Sequence, residues 1–343
     1  MPAPGNDEEP VIAVDLGATT TRVALFGPGR EIRGRISSPT PGSGGSPAIV
    51  ARHLAGLIRE VLTAAPGPAP AGIGISACGP IDHRRGAIVR PPNLPFGEIP
   101  LAGPLGDEFG IPVRLANDCH AGVLGEVAFG AGAGERNLVY ITLSTGIGGG
   151  VLSGGKLVLG RDGNAAEIGH FHVDSTYGLP CGCGGRGHWE GYASGRFLPR
   201  FFARWCEISD PRGVRDRPGG RGAPLGRIPG PGPAETAGSA EDIFAAARRG
   251  EPAALGFLEA LGEINGRGIS DVIVAYDPAR IILDGSVILR NEDLILPFLL
   301  PCIDRFLPLP EIQVTALDGL APLCGASILA RGYDTPVGSL LPG

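Results

Sequence analysis

One unit occurs twice in this chain and constrains its fold more than anything else: an apolar run, a turn of small residues, and a second apolar run. The first copy runs from Val11–Val14 through a Gly/Thr turn to Arg22–Phe26, and the second from Leu138–Leu143 through a Gly-rich turn to Gly150–Ser153. Each reads as two strands around a tight turn, so the chain is expected to be internally duplicated. Further strands are predicted at Gly72–Ser76, Val113–Ala116 and Arg280–Leu283. Between Pro47 and Ala64 the apolar residues Ile49/Val50, Leu54, Leu57/Ile58 and Val61/Leu62 recur every three to four positions, the mark of one buried helical face. Other helices are predicted from near Asp118, over Ser239–Ala275, near Leu294–Phe306 and over Leu323–Arg331. Strands alternating with helices across two related halves predict a two-domain α/β fold with ligands bound in the interdomain cleft. The expected division is a smaller domain, 1–116, joined by a C-terminal helix at 321–343, and a larger one, 117–320.

Composition excludes some classes of function. No apolar run approaches the roughly 18 residues that span a bilayer, and the acidic N-terminus MPAPGNDEEP lacks the order of a secretory signal. A cytoplasmic location without membrane partners is the expectation. A net charge of −6 and the absence of a long Lys/Arg run argue against nucleic acid as a partner. The segment 210–238, rich in Pro, Gly and Arg, cannot bury enough surface to offset its own ordering. It is expected to be a surface loop, or a basic lid carrying Arg212, Arg215, Arg217, Arg221 and Arg227 over an anionic substrate.

Asp15-Leu-Gly-Ala-Thr-Thr-Thr-Arg22 places a carboxylate at a strand end before a turn with hydroxyls. Gly17 allows close backbone approach, Thr19 and Thr20 face phosphate oxygens, and Asp15 holds a hydrated Mg²⁺ on this expectation; a plain hairpin turn is the alternative. Ser144-Thr-Gly-Ile-Gly-Gly-Gly150 is a second such turn, with Thr145, Gly146 and Gly148 as candidate phosphate contacts. Two such loops facing across a cleft would clamp a triphosphate from both sides, an order similar to that of the sugar kinase, Hsp70 and actin superfamily. No GxxxxGK[ST] P-loop occurs.

Asn117 and Asp118 fall where a strand gives way to a helix. Either could simply cap that helix. Alternatively, Asp118 accepts the proton of a sugar hydroxyl as it attacks the γ-phosphorus while Asn117 orients the sugar, since phosphoryl transfer asks little covalent chemistry of the protein.

Glu167-Ile-Gly-His170, followed by Cys181-Gly-Cys183-Gly-Gly-Arg-Gly-His188-Trp-Glu190, offers two thiolates and two imidazoles. His170, Cys181, Cys183 and His188 form a Cys₂His₂ set suited to structural Zn²⁺ with no open position. His172 competes, because strand alternation would turn it to the same side as His170. A metal-bound His170 keeps its second ring nitrogen for a sugar hydroxyl, and Glu167 and Glu190 could accept further hydroxyl protons. Alternatively, Glu190 is an exposed carboxylate at a helix start.

Taken in order, these motifs resemble the ROK family of sugar kinases and repressors. The resemblance spans about Val11 to Arg331 and includes Gly74-Ile-Ser-Ala-Cys-Gly-Pro-Ile-Asp82, Pro92-Asn-Leu94 and Tyr276-Asp-Pro-Ala-Arg-Ile-Ile-Leu-Asp-Gly285. It implies an actin-like ATPase (RNase H-like) fold with Asp118 as base. It implies sugar contacts from Gly79, Asn117, Asp118, Glu167, His170 and Glu190, phosphate contacts at Gly17 and Gly146, nucleotide contacts near Gly285, and a homodimer or higher homo-oligomer. The implied activity is transfer of the γ-phosphoryl of MgATP to a hexose, with glucose first and mannose, fructose or an N-acetylhexosamine as alternatives. Three departures stand out: His188 where the family usually has a third Cys, Ala166 where it has Gly, and Gly285-Ser286 in place of Gly-Gly. ROK repressors carry a DNA-binding module ahead of this body. With the first strand at Val11 there is no room for one, so a kinase is expected over a non-catalytic sugar sensor.

Overall fold

A computed structural model describes residues 9–42, 46–91, 94–209 and 238–332. The expected loop or lid at 210–238 therefore lies, but for its last residue, outside the described residues, as do Pro92 and Asn93 and the C-terminal stretch 333–343.

The first half runs β1 (Val11–Leu16), β2 (Thr20–Phe26), β3 (Ile32–Pro39), α1 (Ala48–Ala64) and β4 (Ile73–Ala77). It continues through three short strands, β5 (Ile81–Asp82), β6 (Ala87–Val89) and β7 (Glu98–Pro100), then α2 (Ala102–Phe109) and β8 (Val113–Asn117). After α3 (Asp118–Phe129) the second half begins with β9 (Leu138–Leu143), β10 (Ile147–Ser153) and β11 (Lys156–Leu157). Helices α4 (Glu190–Ala193), α5 (Leu198–Ser209), α6 (Ala240–Arg248) and α7 (Pro252–Tyr276) follow. The described chain closes with β12 (Arg280–Asp284), α8 (Ser286–Leu299), β13 (Glu311–Val314) and α9 (Ala321–Ala330).

The two five-stranded sheets have one topology. The first is ordered β3-β2-β1-β4-β8 and the second β11-β10-β9-β12-β13. In each, the first three strands form an antiparallel meander and the last two run parallel to the innermost strand. The duplication expected from the paired hairpins is thus a duplication of the whole sheet.

Strand alternation explains how each sheet is covered. Along β1, Ile12, Val14 and Leu16 enter a core with Val50, Leu54 and Ile58 of α1. Val11 and Ala13 point the other way, toward Leu323, Ala326 and Ala330 of α9. A strand buried on both faces reads as a continuous apolar run, which is how VIAVDL reads. In the second sheet, Val139, Ile141 and Leu143 of β9 face the large core that includes α7, while Leu138 and Tyr140 face α3 and α9. Helices α3 and α9 therefore form the layer between the sheets. They cross at glycines: a Cβ on Gly125 would lie 2.0 Å from the Ala321 carbonyl oxygen, and one on Gly325 1.7 Å from that of Ala121.

Two expectations change. The stretch predicted as one helix over Ser239–Ala275 is two, because Gly250 takes a left-handed φ of 77° and Pro252 then starts a new helix. Ser239 caps the first of them in a capping box with Asp242. The helix predicted near Leu294–Phe306 begins earlier, at Ser286, directly after β12, and gives way to a 3₁₀ turn at Leu300–Cys302. Strand β3 was not legible because it is an edge strand with no buried residue. Among the described residues, no helix is long and apolar enough to cross a membrane.

Candidate active site

Parallel strands β4 and β8 end side by side, with Ala77 paired to Asn117, which brings Gly79, Asn117 and Asp118 together. Asn117 is the N-cap of α3, its side chain accepting from the Cys119 amide at 2.8 Å. The capping alternative therefore holds for Asn117. Its Nδ2 lies so close to Gly79 that a Cβ there would come within 3.1 Å. Asp118 opens the helix and accepts from the same Cys119 amide at 2.9 Å. Desolvation first, then the charge of Asp15, push its carboxyl from 3.8 to about 6. Glu167 adds a smaller upward push, so its carboxylate belongs to the same surroundings. Glu167 is itself raised, first by desolvation and against the pull of His170.

Asp15, whose charge acts on Asp118, is 8% exposed near the end of β1. Burial raises it, while Arg22, opposite it in the β1–β2 register, donates to its Oδ2 at 2.9 Å and pulls it down. The neighbouring turn closes with a bond from the Gly17 amide to the Thr20 carbonyl, and Thr40 Oγ1 donates to the Gly17 carbonyl at 2.7 Å. Thr19 is exposed at the tip and Thr20 begins β2. A third carboxylate was missed in the sequence. Asp284 ends β12 only 1% exposed, accepts from the Tyr140 hydroxyl at 2.7 Å and from the Gly285 amide at 2.6 Å, and is raised by burial. It also pushes Asp15 upward. Its signal was present: an Asp before a Gly at a strand end, as in the first half.

The second turn is confined to Ser144–Gly146, where Ser144 N–H bonds to the Gly146 carbonyl and Thr145 is exposed. Gly148 lies within β10, and the space a side chain would take is filled by Cys119 Sγ, 2.6 Å from where a Cβ would sit. Gly146 faces Glu190, whose Oε2 accepts from the Ile147 amide at 3.1 Å. Glu190 also opens α4, as the helix-start alternative has it, but it is half-buried rather than exposed. One carboxylate therefore ties this turn to the cysteine segment, since Cys181 Sγ lies 3.8 Å from its other oxygen.

That segment brings four ligand atoms together. One each from His170, Cys181, Cys183 and His188 lie within 4.8 Å of one another. Cys181 Sγ is 3.7 Å from His170 Nδ1, and Cys183 Sγ is 3.2 Å from His188 Nδ1. A tetrahedral ion with metal–ligand bonds of about 2.0–2.3 Å sets its donors roughly 3.3–3.8 Å apart, so the set fits one. His172 is outside it. Residues 168–170 form a 3₁₀ turn rather than a strand, so strand alternation does not bring His172 to the side of His170, and it pairs by backbone with His188 instead.

The ROK family model matches residues 11–332. The chain belongs to the ROK family. It is 33% identical to the glucokinase of Pyrobaculum calidifontis, over 95% of each chain. Among solved structures, the ROK hexokinase of Thermus thermophilus superposes with a TM-score of 0.77 at 30% identity, covering 94% of this chain and 98% of that one. The ROK glucokinase of Streptomyces griseus, solved with glucose and AMPPNP, superposes with a TM-score of 0.72 at 30% identity, covering 94% and 99%. The fold is the two-domain actin-like ATPase fold with duplicated halves.

Set in the ROK pattern, the departures acquire geometry. Ala166 takes a left-handed φ of 67°, a backbone that suits the family's glycine and costs an L-residue about 1 kcal/mol. Ser286 begins α8, and its hydroxyl lies 3.2 Å from that of Ser144. Beside this pair opens a cavity of about 510 Å³, lined among others by Thr145, Gly195, Arg196, Phe244 and Asn291. Gly285 is not among the lining residues, although the next residue, Ser286, is; the contributions of α6 and of the residues after α4 were not legible, because they come from far along the chain.

Proposed function

We propose that this protein is an ATP-dependent hexokinase that transfers the γ-phosphoryl of MgATP to the 6-hydroxyl of glucose. The observation that carries this is the Asp118 carboxyl, desolvated beside Asn117 and Gly79 and held at about 6. A base with that value is mostly ionised at neutral pH yet far more basic than an ordinary carboxylate. It takes the proton of the sugar hydroxyl as that oxygen attacks phosphorus in line.

Asn117, Gly79, Glu167, His170 and Glu190 orient the sugar on this proposal, with Glu190 also bracing the Ser144–Gly146 turn. The turns at Gly17–Thr20 and Ser144–Gly146 cradle the phosphates. Asp15 lies within electrostatic reach of both Asp118 and Asp284, with Arg22 paired to Asp15, and carboxylates of this kind are the donors that Mg²⁺ takes. Bound there, Mg²⁺ would neutralise charge on the phosphates. His170, Cys181, Cys183 and His188 would hold a structural Zn²⁺ that fixes the sugar-facing segment. Domains at 1–116 plus 321–343 and at 117–320 and a cytoplasmic location, both expected from the sequence, belong to the same proposal, as does homo-oligomeric assembly, which the family resemblance implies.

Glucose-dependent ADP release from MgATP tests the activity, run across glucose, mannose, fructose and N-acetylhexosamines. Glucose is expected to give the highest kcat/KM. Glucose binding without ADP release would identify a sensor instead.

A further inference from the structure

The cavity beside Thr145 holds three arginines, and they differ in how they are spent. Arg248 donates to Asn291 at 3.0 Å, to the Arg290 carbonyl at 2.8 Å and to Asp293 at 2.9 Å. Arg290 pairs with Glu241 at 3.4 Å. Arg196 has no carboxylate partner among the described residues, and its exposed side chain lies over the buried ring of Phe197, 5.3 Å from the centroid. Arg200 lies over the same ring at 5.3 Å, so a second cation adds to the positive potential there.

Stacking on an aromatic ring fixes the plane of a guanidinium while leaving its N–H edge free. The backbone aims this one: the Gly195 amide donates to the Ser144 carbonyl at 2.7 Å, tying Arg196 to the Gly-rich turn. Around the cavity wall are the hydroxyl of Ser286 and the tip residue Thr145. A stacked guanidinium without a carboxylate partner among the described residues, next to the exposed Thr145 and the Ser286 hydroxyl, is a receptor for phosphate oxygens, which it meets two at a time.

We propose that Arg196 grips the phosphate chain of the donor, and so is a binding and positioning residue of the kinase reaction. The proposal rests on the kinase function above and adds one residue to it.

Calorimetric titration of the full chain with inorganic tripolyphosphate and, separately, adenosine tests it. Arg196→Ala is expected to weaken tripolyphosphate binding by about ten- to a hundredfold, as for loss of a charge-assisted hydrogen bond, and to leave adenosine within about twofold. Arg196→Lys should recover part of the loss, because a point charge replaces the fork. Tripolyphosphate affinity within about twofold of wild type in Arg196→Ala, or no tripolyphosphate binding by the wild-type chain, overturns the assignment. Equal loss of adenosine and tripolyphosphate also overturns it, since that marks a collapsed cavity. ADP release by the wild-type enzyme is scored separately: its failure removes the kinase reading, while the titrations still decide whether Arg196 binds phosphate.

Discussion

Replacing Asp118 by Asn is expected to stabilise the protein while abolishing its turnover. The folded carboxyl titrates at about 6 against an ordinary 3.8, so the folded chain holds a proton more tightly than the unfolded one. Between those two values the unfolded state releases the proton and the folded state keeps it, and stability falls as pH rises. Above about 6 the penalty is complete, with a ceiling of about 3 kcal/mol at 1.36 kcal/mol per tenfold. Water reaching the half-buried carboxyl reduces this, so a gain of about 1–2 kcal/mol is expected for the neutral amide. Asn keeps an oxygen for the Cys119 amide, so the helix cap survives. Thermal unfolding should show Asp118→Asn above wild type at pH 8, with the difference shrinking toward pH 4. In the same variant kcat should fall by about 10²–10⁴-fold, the contribution of a general base, and glucose should still bind. Wild-type kcat/KM should drop on the acid side near pH 6. Equal melting temperatures at pH 8 would refute the desolvation argument, and near-wild-type turnover would refute the base.

Metal analysis of purified protein is expected to find about one zinc per chain, and Cys183→Ala to bring it near zero with a raised KM for glucose; a zinc-free wild-type protein removes the Cys₂His₂ assignment. At the crossing of α3 and α9, Gly325→Ala would set a Cβ 1.7 Å from the Ala121 carbonyl oxygen, and two helical backbones cannot yield as a side chain can. A loss of about 1–3 kcal/mol or more in urea unfolding is expected. Gly56→Ala on α1, where nothing lies within 4 Å of the new Cβ, should instead gain about 0.5–1 kcal/mol; equal effects of the two would mean that the close crossing is absent.

The duplicated architecture was legible because β1 and β9 are buried on both faces and write unbroken apolar runs, and because each turn between paired strands is built of Gly, Ser and Thr. Asp118 was legible as a residue at a strand–helix junction, and the Cys/His ligands by spacing. Edge strand β3 and the break at Gly250 were not. β3 buries nothing, and one glycine in a long helical pattern does not reveal its φ.

By itself, the sequence determined the strand–turn–strand units, the α/β class, the candidate base and the four candidate metal-ligating side chains, since each is encoded in residues close together in the chain. Only the tertiary structure decided that Asp284 comes within reach of Asp15, that Arg22 occupies Asp15, that Glu190 braces the Gly-rich turn, and that Arg196 alone of three arginines has no carboxylate partner among the described residues. Apart from the Arg22–Asp15 pair within one hairpin, those are facts of electrostatics and desolvation between groups tens to hundreds of residues apart, and such charges acquire their neighbours only when the chain packs.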